Sequence, residues 1–209
     1  ALLFLILEWT NTFSGFSFFD KLTASFFQSI TTRTAGFNTV PIGEMRSASL
    51  FLMMLLMFIG ASPGGTGGGI KTTTFVVLLM TYISHLRDRD KVELFKRSIS
   101  SQLVHRALSI VMIYGIMLLA ATFLLLISES MIFDKPFTFE QLLFEVFSAQ
   151  GTVGLSTGIT GDLSWLGKFI IIMQMFAGRV GALTIVLAMN MKKKEIVSYS
   201  YPEESMMLG

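Results

Sequence analysis

The sequence predicts an all-α integral membrane protein made of two copies of one unit: helix, short re-entrant helix, polar loop, helix. Three observations carry that expectation: an apolar composition, clustered basic residues and an ungapped internal repeat. Of 209 residues, 52% are hydrophobic and 14% charged, and the mean hydropathy is +0.66. A water-soluble domain carries about 25% charged residues, and a disordered chain is poor in apolar groups, so neither class fits. The absence of cysteine removes disulfide-stapled secreted scaffolds. A formal net charge of +2 is too small to argue for nucleic acid.

The positions of the basic residues say more than their sum. Nine of the 16 Lys and Arg fall in two places: Arg87, Arg89, Lys91, Lys96, Arg97 and Arg106, and then Lys192, Lys193 and Lys194. Lys and Arg concentrate in cytoplasmic loops. The connector 84–106 and the tail 191–209 are therefore expected in the cytoplasm, and the chain is expected to cross a plasma (inner) membrane several times. The stretches from Trp9 to Arg46 and from Ser128 to Lys168 mix in acids (Asp20, Glu44, Glu129, Asp134, Glu140, Glu145 and Asp162) and are expected outside.

The elements follow in order. Ala1 to Glu8 is apolar but lacks the basic start and cleavage site of a signal peptide, and reads as the end of a spanning helix whose start is missing. Phe19 to Thr31 is Phe-rich and too short to cross a bilayer, hence a re-entrant helix over 19–31 and a polar loop over 32–38. The next helix, 47–83, is apolar on both sides of a break, Ser62-Pro63-Gly64-Gly65-Thr66-Gly67-Gly68-Gly69. Irregular backbone at membrane depth is tolerated only where protein or a watery cavity surrounds it. His85 to Gln102 is polar and basic and reads as a helical hairpin or surface helix. Ala107 to Ile127 holds 21 residues without a charge, roughly 31 Å of helix and one full crossing. A second re-entrant helix is expected at 137–149, a second loop at 150–156, and a last span at 163–190 with Arg179 well inside it.

The short helices are explained by comparing the chain with itself at an offset of 118 residues. Phe19, Phe26, Thr34, Gly36, Thr39, Gly43, Phe51, Met57, Phe58 and Gly60 recur as Phe137, Phe144, Thr152, Gly154, Thr157, Gly161, Phe169, Met175, Phe176 and Gly178. Ten identities over 42 positions without a gap exceed shared hydrophobicity and mark two copies, residues 1–83 and 107–190.

Each short helix runs into a loop with Gly at the same place in the repeat. A cation crossing a membrane needs its water shell replaced by oxygen, and a strand of backbone carbonyls supplies it without fixed charge. Gly accepts backbone angles that let carbonyls turn inward, and the preceding helix aims the negative end of its dipole at the ion. Thr152-Val153-Gly154 matches the first three residues of the potassium-channel loop that illustrates this principle, and Thr34-Ala35-Gly36-Phe37 is a looser version. The competing reading is a pair of buried turns at a helix interface, with Gly for close packing.

The re-entrant repeat, the Thr-Ala-Gly-Phe loop, the Gly-rich break and the Arg in the last helix together resemble the Trk/Ktr/HKT superfamily of potassium transporters, most closely the KtrB type, over Phe19 to Asn190. In that family four units of the potassium-channel type surround one pore, and this chain resembles the third and fourth. Two units make half a filter, so either the first half is absent from the chain or other polypeptides complete the pore. The resemblance implies that carbonyls of Thr34, Ala35, Gly36, Phe37, Thr152, Val153, Gly154 and Leu155 coordinate potassium. It implies a gating loop beneath them, Gly60 to Gly69 within a break at 60–70, including Gly64, Gly65, Thr66, Gly67, Gly68 and Gly69. It further implies a KtrA-like ring of cytosolic nucleotide-binding subunits as partner, with the tail joining that contact or the pairing of two membrane subunits.

Arg179, near mid-membrane, is a functional candidate because an ionised residue there is expensive. It is expected to hold the gating loop by hydrogen bonds to its carbonyls and to repel cations; the competing reading is an Arg that snorkels or pairs with an acid. Lys71 borders the loop and has a similar role, or else a place at the cytoplasmic interface. For the Gly-rich break itself the rival is a simple kink. Gly64 to Thr72 fails as a phosphate-binding loop, because Ile70 separates Gly69 from Lys71 and no strand precedes it. His85 and His105 lack partners at ligand spacing and read as solvated. The basic connector also suits anionic lipid headgroups.

The function expected is potassium uptake by a non-enzyme, channel-like membrane subunit. Sodium is expected as a coupling or co-permeating ion, and no organic cofactor. The alternative is a carrier that binds an anion at the broken-helix terminus near Gly69 to Thr72.

Overall fold

The computed structural model describes residues 1–65, 67–87, 92–94 and 97–181. Thr66, Arg89, Lys91, Lys96, the distal span 182–190 and the tail 191–209 with Lys192, Lys193 and Lys194 lie outside the described residues.

The described chain is helical almost throughout. Helix α1 (Leu2–Glu8) leads to α2 (Phe18–Thr31), then come α3 (Ser47–Phe58) and α4 (Thr72–Leu86), separated by the Gly-rich excursion. A short hairpin, β1 (Glu93–Leu94) and β2 (Arg97–Ser98), precedes α5 (Ser101–Leu126), α6 (Phe139–Gln150) and α7 (Trp165–Val180). Helix α5 winds on into a π-helical turn, Ile127–Ile132. Together they form a helix of 32 residues containing an 18-residue stretch of mean hydropathy 2.7, the one helix among the described residues long and apolar enough to cross a bilayer. Ser47–Phe58 and Thr72–Leu86 are shorter apolar helices.

Three expectations are corrected. The connector pairs as an antiparallel hairpin, Glu93 with Ser98 and Leu94 with Arg97, and not as a helical hairpin or surface helix. The 13 residues between the end of α4 and the N-cap Ser100 of α5 are too few for a helix without a packing partner. The helix expected at 107–127 starts six residues earlier, at Ser101. The last helix, expected over 163–190, is interrupted at Gly181, where φ is +85°, and its described part is Trp165–Val180.

Local chemistry explains the short helices. Ser17 caps α2 by accepting from the Asp20 N–H, with Asp20 in the first turn, where a negative charge suits the helix dipole. Thr138 and Gln141 form a reciprocal capping box at α6, satisfying two otherwise orphaned donors. Helix α6 packs on α3, α5 and α7. Phe144 joins one apolar core with Phe4, Phe13, Met53 and Met57, while Leu142 and Val146 join another with Leu118, Leu125 and Ile171. Gln150 at its end donates to the Tyr114 carbonyl at 2.8 Å and accepts from Gln174 at 2.8 Å. A Cβ on Gly178 would strike the Gln150 carbonyl, so α7 crosses α6 at backbone contact.

The units also share a clamp that the sequence repeat does not reveal. Glu8 is fully buried and accepts from Asn11 Nδ2 at 2.7 Å, Thr12 Oγ1 at 2.9 Å and the Arg46 N–H at 3.0 Å, and from the Ser49 hydroxyl. Glu129, equally buried, accepts from the Ser164 N–H at 3.1 Å and from the Ser164 hydroxyl. Arg46 and Ser164 are repeat equivalents and N-cap α3 and α7. In each unit a buried carboxylate from the first helix thus sits at the N-terminus of the last, where the dipole favours it.

Removing one of these carboxylates leaves buried donors unpaired, which costs about 1–3 kcal/mol each. Glu129→Ala in the full-length protein is therefore expected to lose about 2 kcal/mol of stability and Glu129→Gln, which keeps one acceptor oxygen, less. Thermal unfolding in detergent measures both; equal stability of Glu129→Ala and the parent would show that the clamp is idle.

Candidate functional site

The site lies where α2 and α6 end and three non-helical stretches meet. Helix α2 stops at Thr31 and α6 at Gln150, one residue out of step in the repeat, and each delivers its carbonyl end to a loop. Among the described residues only three other than Gly have positive φ: Thr34 (+66°), Asp134 (+48°) and Thr152 (+48°). Two of them are repeat equivalents. Gly36 (φ +76°) and Gly154 (φ +92°) follow two residues later in each loop, with Ala35 and Val153 at ordinary negative φ between. A non-Gly residue at positive φ costs of order 1–3 kcal/mol and persists only where the surroundings impose it.

The carbonyls of Thr34, Ala35, Gly36, Thr152, Val153, Gly154 and Leu155 accept no hydrogen bond from the described residues. The Phe37 carbonyl accepts from the Thr31 hydroxyl. The loops touch each other, since a Cβ on Gly36 would land on the Val153 carbonyl and one on Gly154 would lie 3.6 Å from the Gly36 Cα. Sequence analysis expected the eight loop residues in one functional unit, and the fold brings both groups together.

The Gly-rich excursion meets the same point. A Cβ on Gly67 would strike the Thr34 side chain, and one on Gly68 the Thr152 hydroxyl. Thr152 Oγ1 is buried there without a hydrogen-bond partner among the described residues. The excursion is closed at its neck: Ile59 bridges Ile70 in parallel, the Gly60 N–H donates to the Ile70 carbonyl at 2.9 Å and the Ile70 N–H to the Phe58 carbonyl at 3.1 Å. Gly60 and Gly69 sit in backbone contact at this neck, whereas Gly64 meets nothing nearby. The stretch is therefore a compact loop with joined ends, not a kink.

Two cations attend it. Lys71, N-cap of α4, donates to the carbonyls of Gly65 at 3.1 Å and Gly67 at 2.7 Å. Arg33, absent from the residues singled out by sequence, donates to the Gly60 carbonyl at 3.4 Å. Arg179 lies in the last turn of α7, exposed, and the flanking Gly178 and Gly181 line a cavity of about 220 Å³ with Gly69, Lys71, Thr74, Ile110 and Tyr114. It stands at the end of the described helix rather than in its middle. Of the acids in the stretches expected outside, Glu129 and Glu145 are buried, a burial that the sequence reading did not include. Their signal was present as carboxylates within apolar runs, as was that of Gln150 and Gln174.

Comparison with known proteins places this arrangement. Residues 3–199 match the TrkH family profile, described as cation transport protein. The chain is similar to Ktr system potassium uptake protein B of Bacillus subtilis, 41% identical over 206 residues, covering 98% of this chain and 44% of that protein. It is similar to the potassium/sodium uptake protein NtpJ of Enterococcus hirae, 40% identical over 210 residues, 100% of this chain and 46% of that protein. The chain thus spans about half the length of the curated relatives it matches. The crystal structure of the potassium transporter TrkH from Vibrio parahaemolyticus superposes with a TM-score of 0.72 at 20% identity, over 90% of this chain and 41% of that one, which shows a common fold.

The close approach of Gly68 to Thr152 makes a direct test. In the full-length protein, a cysteine replacing Thr152 takes the place of a shielded hydroxyl. Adding Gly68→Ala is expected to lift the loop and speed its thiol labelling about tenfold, the effect of an overpacking strain above 1 kcal/mol. Labelling at the unmodified rate would mean that the two segments are not in contact.

Proposed function

The chain belongs to the TrkH family of cation transport proteins, and on that premise we propose that it forms part of a potassium-uptake path of the Ktr/Trk type, with its two polar loops as part of a cation-selective filter. It is a transporter component and not an enzyme. The observation that carries this reading is the pair of loops with matched positive φ at Thr34 and Thr152 and at Gly36 and Gly154. Their carbonyls are left unclaimed by the described residues.

Carbonyl oxygens fixed on a rigid backbone replace the hydration shell of an ion of matching size and coordination demand. The C-terminal ends of α2 and α6 add the negative ends of two helix dipoles. Thr152 Oγ1, buried without a partner among the described residues, offers a further oxygen. The transported ion is potassium; sodium is the coupled or co-permeating ion, a reading in keeping with a relative named as a potassium/sodium uptake protein. Partner units supply the rest of the filter.

The Gly-rich loop is the gate. Its closed neck lets it move without unwinding α3 or α4, and Lys71 holds it by two of its own carbonyls. Gly60, Gly64, Gly65, Gly67, Gly68 and Gly69 leave it free of side chains that would obstruct its path, and Arg179 adds a positive charge below it. A cytosolic KtrA-like nucleotide-binding ring acts on this gate, and two membrane subunits pair upon it in the plasma membrane. The anion-carrier alternative has less support, because two of the three Lys71 donors are taken by loop carbonyls.

Potassium uptake into cells lacking their own uptake systems tests the filter. The full-length protein carrying Gly154→Ser is expected to lose about tenfold in potassium affinity relative to sodium, since about 1.4 kcal/mol of misfit at one site suffices. An unchanged preference at equal expression would sink the filter reading and return these loops to a packing role.

A further inference from the structure

The geometry points to Glu145 as a positioning residue that sets the shape, and thereby the ion preference, of the second loop; this rests on reading that loop as a filter. Glu145 lies in α6, the short helix behind the loop, and is 4% exposed. Its carboxylate faces the returning chain, not the lipid. Oε1 accepts from the Ser156 hydroxyl at 2.7 Å, the Thr157 N–H at 3.0 Å and the Thr157 hydroxyl at 3.2 Å, and Oε2 accepts from the Thr160 hydroxyl at 2.6 Å. The Ser156 and Thr160 hydroxyl oxygens lie 2.9 Å apart, each donating its one proton to the carboxylate, and Ser156 Oγ accepts from the Gly158 N–H at 2.9 Å. One carboxylate therefore gathers five residues of loop, from the position just after Leu155 to Thr160.

Such a carboxylate is costly to bury unless donors meet it, and here four do. Hydrogen bonds to a charged acceptor are about twice as strong as neutral ones, so the loop is held stiffly from behind. The hold extends across the site, because a Cβ on Gly43 of the first unit would strike the carbonyl of Thr157. The first unit has no counterpart: the residue equivalent to Glu145 is Phe27, and its loop is tied by the Thr31 hydroxyl to the Phe37 carbonyl. A filter discriminates between ions of different radius only as far as its oxygens resist closing on the smaller one, so stiffness behind the loop becomes preference at its face.

The test compares potassium KM, maximal uptake and sodium competition in the full-length protein for Glu145→Ala, Glu145→Gln, Thr160→Val and Ser156→Ala, with Gly154→Ser in parallel. Glu145→Ala is expected to raise the potassium KM about tenfold and to make sodium a correspondingly better competitor, the scale of losing one or two charge-assisted bonds. Glu145→Gln, which keeps one acceptor oxygen, is expected to fall between it and the parent. Lower maximal uptake at unchanged KM and unchanged sodium competition would overturn the proposal. If Glu145→Ala fails to reach the membrane, the two hydroxyl variants decide: altered sodium competition in either supports the positioning role, and parental values in both overturn it. Loss of preference in Gly154→Ser alone leaves the filter standing and removes Glu145 from its support. No change in any variant removes the filter and this proposal together.

Discussion

The structure depends on one steric constraint: three stretches of non-helical backbone meet so closely that a Cβ on Gly36, Gly60, Gly67 or Gly68 would collide with a neighbouring stretch. Gly36 lies against the Val153 carbonyl, Gly67 against Thr34, Gly68 against Thr152, and Gly60 against Gly68. Lipid cannot satisfy the polar groups of such backbone, so it must be enclosed by protein or line a cavity. The helices do the enclosing. Their lengths, caps and buried polar side chains make sense as the means of bringing α2 and α6 to this point and holding them there.

The polar residues buried in this chain are accordingly braces. Glu8 and Glu129 fix the start of the last helix of each unit to the end of the first. Gln150, Gln174 and the Tyr114 carbonyl tie α6 to α5 and α7. Hydrogen bonding, unlike apolar contact, discriminates between registers in an environment where every surface is greasy. An apolar helix bundle with Leu in these positions would bury similar area and define the loops less sharply.

Gly-rich and rigid parts are kept separate within one continuous chain. The excursion between α3 and α4 is joined at Ile59 and Ile70, so its tip can shift while both helices stay packed. The loops above it are imposed in strained backbone at Thr34 and Thr152, the opposite condition. The excursion therefore abuts the strained loops through direct contacts of Gly67 with Thr34 and Gly68 with Thr152.

The sequence by itself determined the membrane class, the two units and the place of each loop, because those depend on composition, on length against bilayer thickness and on an identity pattern at one offset. Gly36 and Gly154 were legible as special because close approach and positive φ demand the same residue. The clamp of Glu8 and Glu129 was not, since the two acids stand 121 residues apart while the repeat runs at 118, and only space restores their equivalence. Glu145 read as one acid among several outside, because its four donors come from residues up to 15 positions away that only folding gathers. Lys71 was legible as a neighbour of the Gly-rich loop, but which carbonyls it meets depends on the loop's path. Pattern marks which segments exist; which polar atoms meet is decided by tertiary packing, as it joins groups that no periodicity links.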